Sequence, residues 1–250
     1  MAKLTFLELT QDILSDMNSD SVNSIADTVE ADQVARIVKA TYFKILSNKD
    51  WPHLRGTLEL TSSGSVLRPT HFVLPDNLQR IQNIKYNKIG DGESNARWDD
   101  IHWMENDVFL THIHARNSSD TNVTSVPDYV DNRTLLVMND RSPTYWTSFD
   151  DEHIVMDSYD SAVDSTLQAS KVMCIGYRSP VWQWEDAFVP DLPEKMFPYL
   201  LAEAKSTAFA TIKQMPNAKE EQWSTRLKAN LSQDKFRQNG KMKYASYGRK

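Results

Sequence analysis

The sequence predicts an α+β chain: a helical bundle drawn from both chain ends, with an antiparallel β-rich domain inserted between its halves. Three observations carry that expectation. Apolar residues recur at helical spacing near the N-terminus, at Phe6, Leu9, Ile13 and Met17, and again from Val34 through Val38 and Tyr42 to Ile45. The same spacing returns after Pro193, at Phe197, Leu200, Leu201, Ala204, Ala208 and Ile212. Between these stretches the period shortens to two and turn residues accumulate. The expected boundaries are 1–54 and 190–239 for the bundle, 55–189 for the insert and 240–250 for a flexible basic tail.

The first helix is expected over 4–17, followed by a polar link from Asn18 to Ser24. Asp27-Thr28-Val29-Glu30 offers an N-cap with an acid close behind, which opens the second helix. Trp51-Pro52 closes it, because the residue before proline avoids helical dihedrals. From Arg55 the pattern alternates through Thr57-Leu58-Glu59-Leu60-Thr61, turns at Ser62-Ser63-Gly64-Ser65 and resumes at His71 to Leu74. Further strands are expected at 81–86, 134–138, 153–159 and 166–177. A short helix is expected over 106–116, and the Ser-, Thr- and Asn-rich run 117–128 reads as a loop or projecting tip. Pro193 and Pro198 are tolerated only near a helix start, so a long helix begins between them. Met215-Pro216-Asn217 breaks it, and a last helix runs from Asn217 to about Phe236 with Trp223, Leu227 and Leu231 on one face.

Composition narrows the class. Apolar residues make up 40% of the 250, and no run approaches the roughly 20 that a membrane-spanning helix needs. The first residues turn polar at Glu8, Thr10, Gln11 and Asp12, unlike a secretory leader. One cysteine, Cys174, excludes an internal disulfide framework and fits a reducing compartment. Net charge is −6, unevenly spread: residues 194–250 hold 12 of the 28 Lys/Arg and 5 of the 34 Asp/Glu, which leaves 16 against 29 before them. An acidic body with a basic end favours head-to-tail contact between copies, or contact of the tail with an acidic partner.

No catalytic signature is present: neither GxSxG, P-loop, GxGxxG nor HExxH occurs. His112 and His114 would share a face on a strand and chelate a metal, with His102 as a third ligand. Asp150-Asp151-Glu152-His153 is an acidic cluster beside a histidine, suited to acid/base work or a divalent ion, and equally to a turn before a strand. Asp157, Asp160 and Asp164 are spaced carboxylates without the glycine and terminal Glu of a calcium loop. Neither a cofactor nor a metal is expected, and no enzyme activity. Trp146, Trp182 and Trp184 are interface anchors if exposed and core if buried. The tail carries Lys241, Lys243, Arg249 and Lys250 beside Tyr244 and Tyr247, with no acid. Such a segment can track a phosphate backbone and stack on bases, or order against an acidic groove.

Three stretches carry a resemblance. The run from Pro143-Thr144-Tyr145-Trp146 through Asp150-Asp151-Glu152-His153 to Asp160 is similar to a segment of tailed-bacteriophage neck proteins. So is Val189-Pro190-Asp191-Leu192-Pro193-Glu194 leading into Leu200-Leu201-Ala202-Glu203-Ala204-Lys205, and so is Asp27 to Ala31 with the helix that follows. Together they resemble head-to-tail adaptors of the tail tubular protein A type. The resemblance implies a structural virion protein, made in the bacterial host cytoplasm and placed in the neck of the particle. It implies a homo-oligomeric ring, a dodecamer, joining the portal protein to tail or nozzle proteins. DNA would pass through its channel without specific binding, and no membrane would be involved. Lys241, Lys243, Tyr244, Tyr247, Arg249 and Lys250 would form the portal-binding tail. The competing readings are a nucleic-acid-binding module acting through that tail, and a hydrolase or depolymerase using Asp150, Asp151 or His153.

Overall fold

Residues 3–89, 95–130 and 133–239 are described in a computed structural model. The chain divides into two compact units, one formed by residues up to Leu54 together with those from Pro180 on, the other by Arg55–Ser179.

The first unit holds α1 (Phe6–Asp16), α2 (Val29–Ser47), α4 (Phe197–Thr211) and α5 (Ala218–Asn239). A reciprocal capping box starts α1: Thr5 Oγ1 accepts from the Glu8 amide at 3.2 Å, and Glu8 Oε2 accepts from the Thr5 amide at 2.7 Å. At α2, Thr28 Oγ1 accepts from the Ala31 amide at 3.1 Å. Beyond its end, Trp51 folds back so that Nε1 donates to the Ile45 carbonyl at 3.0 Å. The apolar stripes meet as their spacing requires. α1 packs on α2, α4 packs on both, and α5 packs on α4. Phe6, Leu9, Ile13, Val34, Val38, Tyr42 and Leu200 are wholly buried.

An irregular segment, 180–193, also enters this core. The Phe6 amide donates to the Phe188 carbonyl at 2.7 Å and the Leu7 amide to that of Asp186 at 3.1 Å. Trp182 packs edge-on against Phe6 with ring centroids 4.8 Å apart, and lies 5.0 Å from Tyr42 and 4.9 Å from Phe188. These rings occupy space that ridge-into-groove contacts fill between bundled helices. The expected bundle from both chain ends is thereby corrected. The helices do not form one: the terminal ones close around a non-helical aromatic segment, and a further helix, α3 (Asn106–His114), belongs to the other unit.

Among the described residues, that second unit is built on ten strands: β1 (Arg55–Leu58), β2 (Thr61–Ser62), β3 (His71–Val73), β4 (Leu78–Asn87), β5 (Trp98–Trp103), β6 (Val123–Pro127), β7 (Thr134–Met138), β8 (Tyr145–Thr147), β9 (His153–Met156) and β10 (Val172–Arg178). Eight make one large curled sheet in the order β1-β10-β4-β5-β8-β9-β3-β2, and β6 and β7 form a separate antiparallel hairpin. The expectation of a purely antiparallel insert is overturned as well. β5 and β8 run parallel, His102 opposite Tyr145 and Trp103 opposite Trp146. Parallel neighbours need a long crossover, and α3 with the β6–β7 hairpin supplies it.

The run expected to be a projecting tip contains β6. Val126 and Asp128 in it are buried, because Val126 joins the core formed by Phe109, Ile113, Leu135 and Val137. Two features shape the sheet. A bulge between Ile175 and Gly176 brings β10 close to β4. A Cβ at Gly176 would lie 2.5 Å from the Arg80 carbonyl oxygen and 2.7 Å from Leu58 Cδ1. In addition, β4 pairs with β5 only from Ile84–Ile101 to Asn87–Trp98, so the first half of β4 pairs with β10 alone.

Candidate functional site

One face of α5 in the first unit is incompletely covered. Asn217 starts this helix, its Oδ1 accepting from the Glu220 amide at 3.3 Å, and Glu220 and Glu221 sit in the first turn where the helix dipole favours them. Trp223, Leu227 and Leu231 fall four residues apart and therefore share a face. Their burial is incomplete: Trp223 is 50% exposed, and both leucines are only partly covered. Among the described side chains of α5 the buried one is polar, Ser224.

Polar hooks join the partial apolar packing in holding α5 on α4. The Ser224 hydroxyl donates to Glu203 Oε2 on α4, whose Oε1 takes the Lys44 ammonium of α2 at 3.0 Å. Lys49 donates to the Ser232 hydroxyl. Burial alone would raise the Glu203 pKa, but the Ser224 hydroxyl and the Lys44 ammonium outweigh it and hold the carboxyl below its ordinary range. Beside this relay lies an apolar cleft of about 680 Å³ lined by Leu4, Phe197, Pro198, Leu201, Ala202 and Trp223, together with Asp12, Glu220, Lys205, Lys219 and Arg226. Such a cleft, with a half-exposed Trp and charges of both signs in its lining, is suited to protein contact.

The residues singled out from the sequence are placed differently from one another. Asp150 Oδ1 accepts from the amides of Glu152 and His153 at 3.0 and 2.8 Å, while Oδ2 meets His153 Nδ1 at 2.6 Å. Burial pushes the Asp150 carboxyl up, and the hydrogen bonds from His153 more than reverse that. Asp151 stands at φ 59° in the same turn. Asp150, Glu152 and His153 bring one potential ligand atom each within 4.8 Å of one another. Both oxygens of Asp150 are already engaged in closing the turn into β9. The group therefore reads as turn chemistry.

His112 and His114 lie in the last turn of α3, where two residues apart means opposite faces. Arg116 Nη2 donates to His112 Nε2 at 3.3 Å, His114 Nε2 lies 3.1 Å from the Thr134 carbonyl, and His102 is on β5. Asp157 is a structural pin. Its Oδ1 accepts from the Thr144 and Tyr145 amides at 2.9 Å each, and its Oδ2 takes Arg116 at 3.0 Å. Asp160 caps its own turn by accepting from the Ala162 amide, and Asp164 pairs with Lys171. Of the tryptophans, Trp146 is core and Trp182 is the hub of the aromatic cluster. Trp184 is 41% exposed, with the Arg36 and Lys39 cations each 5.7 Å from its ring. The tail residues Lys241, Lys243, Tyr244, Tyr247, Arg249 and Lys250 lie outside the described residues.

Sequence reasoning missed one cluster, around His71. This fully buried imidazole lies 3.2 Å from Asp128 Oδ1, and Tyr129 stacks on His153 at 4.1 Å with the Arg68 guanidinium 4.2 Å from the Tyr129 ring centroid. Val123 and Val126, two apolar residues in an otherwise polar run, were the available signal that this stretch is anchored. Asp128 Oδ2 has no hydrogen-bond partner. No protein-family model matches the chain, and no curated protein matches its sequence.

Proposed function

We propose that the chain is a structural subunit of a tailed-bacteriophage head-to-tail adaptor, a ring in the virion neck that joins portal protein to tail proteins around the DNA channel. The observation that carries this reading is the half-covered Trp223–Leu227–Leu231 face of α5 beside the apolar cleft on α4. A helix whose own unit leaves its stripe uncovered needs a partner surface. In a ring, that partner is a different surface of the next copy. The uneven charge, an acidic body before residue 194 and a basic stretch after it, supports heterologous pairing between copies. The resemblance of the Pro143–Asp160 and Val189–Lys205 stretches to neck proteins points the same way. In this reading the chain does no turnover chemistry, and passing DNA makes no specific contact.

Mass measurement of the purified chain, alone and mixed with the portal protein of the same phage, tests the reading. A ring of defined copy number that forms only on the portal is expected, whatever smaller association the chain shows alone. A chain that stays monomeric in the presence of that portal would overturn it.

A further inference from the structure

The large sheet splits where β4 and β5 part. Beyond the Ile84–Ile101 pair, Leu78–Asn83 of β4 pairs only with β10, while His102 and Trp103 of β5 pair with β8. The facing halves bound a cleft of about 1130 Å³, floored by Ile81, Ile101 and Trp146. Trp103 stands at its mouth, 57% exposed. An unpaired strand edge of six residues, roughly 20 Å at about 3.3 Å per residue, faces this space. Such an edge is a template for an added strand.

Three carboxylates line the same cleft: Glu105, Asp107 and Asp151. Among the described residues none of them has an ion-pair partner. Arg80, on the β4 side, has its guanidinium 5.3 Å over the Tyr177 ring. The cleft therefore offers backbone pairing, an apolar floor and, among its described lining, three carboxylates against one guanidinium. Its complement is an extended segment with cations on one face and apolar groups on the other.

We propose that residues 241–250 of a second copy of this chain fill the cleft as an additional strand along Leu78–Asn83. The tail reads Lys241-Met242-Lys243-Tyr244, so in extended form the two lysines face one side and Met242 and Tyr244 the other. It contains no acid, and it is long enough to cover the whole open edge. The assignment rests on the ring reading only in requiring a neighbouring copy; a tail held by a neighbour is unavailable to a portal, so the test is done without one.

Hydrogen exchange over Leu78–Asn83 is compared between the full chain, the chain ended at Asn239, and that shortened chain with a synthetic peptide of residues 240–250 added. At least tenfold slower exchange is expected in the full chain, rising with protein concentration. The peptide should restore it, and its effect should fall at least tenfold when alternate peptide nitrogens are methylated or when Glu105→Gln, Asp107→Asn and Asp151→Asn are combined. Equal exchange in full and shortened chains, or peptide binding indifferent to methylation, would overturn the strand assignment. Protection independent of concentration would overturn the second copy as its source. Peptide protection in a chain that never forms rings leaves the cleft assigned and counts against the ring alone.

Discussion

Two residues show how little of this chain's charged and small side chains are spare. Arg116 donates from Nη1 to the carbonyls of Leu136 at 3.0 Å and Asp157 at 2.6 Å, and from Nη2 to the Asp157 carboxylate. Both side chains are nearly buried, at 8% and 6% exposure. Removing one partner of such a pair strands the other charge, at a cost of about 3–5 kcal/mol. Arg116→Met should therefore lower the unfolding free energy by about 3 kcal/mol or more in denaturant titration. A loss below about 1 kcal/mol would mean that water reaches Asp157. Gly176 is a steric counterpart. Gly176→Ala forces a methyl against the Arg80 carbonyl and Leu58, so a loss of about 1–3 kcal/mol is expected by the same titration. An unchanged midpoint would show that the bulge relaxes freely. Residue roles were the least readable part of the sequence. The order Asp150-Asp151-Glu152-His153 is the same whether it binds an ion or closes a turn, and only the amide bonds to Asp150 decide between them.

Elements were readable where a periodic stripe and a terminal signal coincided. Phe6 to Met17 and Val34 to Ile45 became α1 and α2, and the proline pair placed the start of α4 at Phe197. β5 and β8 escaped notice because Trp98–Trp103 interleaves two aspartates with its aromatics and Tyr145–Thr147 is three residues long. In both, pairing partners rather than local pattern make the strand. The docking of α5 allows a test of its own. Glu203 has its pKa lowered in the folded chain, so its contribution is present above the unfolded value of about 4.3 and is lost as pH falls through the lower folded one. Hydrogen exchange in α5 should accelerate on acidification below about pH 4.3, ahead of that in α2, and Glu203→Gln should blunt the dependence. Exchange in α5 that tracks α2 at every pH would assign the docking to apolar contacts. Trp223→Ala removes a half-exposed ring, so the monomer should lose less than about 1 kcal/mol while ring formation on the portal fails. Rings of normal mass from this variant would place the interface elsewhere.

For the whole molecule, composition and period foretold an α+β chain with a strand-rich middle, but not how its layers are made. The mixed order of the eight-stranded sheet depends on a crossover of some forty residues between β5 and β8, and local periodicity carries no record of such a connection. The aromatic segment around Trp182 is likewise invisible to period, since its partners Phe6 and Tyr42 lie far off in sequence. What the two units share is incomplete cover: a half-open helix face in one and a split sheet in the other. Surfaces of that kind fit a protein completed by assembly. Electron microscopy of the chain mixed with the portal protein that the proposed adaptor role requires addresses this most directly. A collar of defined symmetry, coaxial with the portal and open along its axis, is the predicted image. Portals that remain bare at saturating chain, with the chain itself folded, would contradict it.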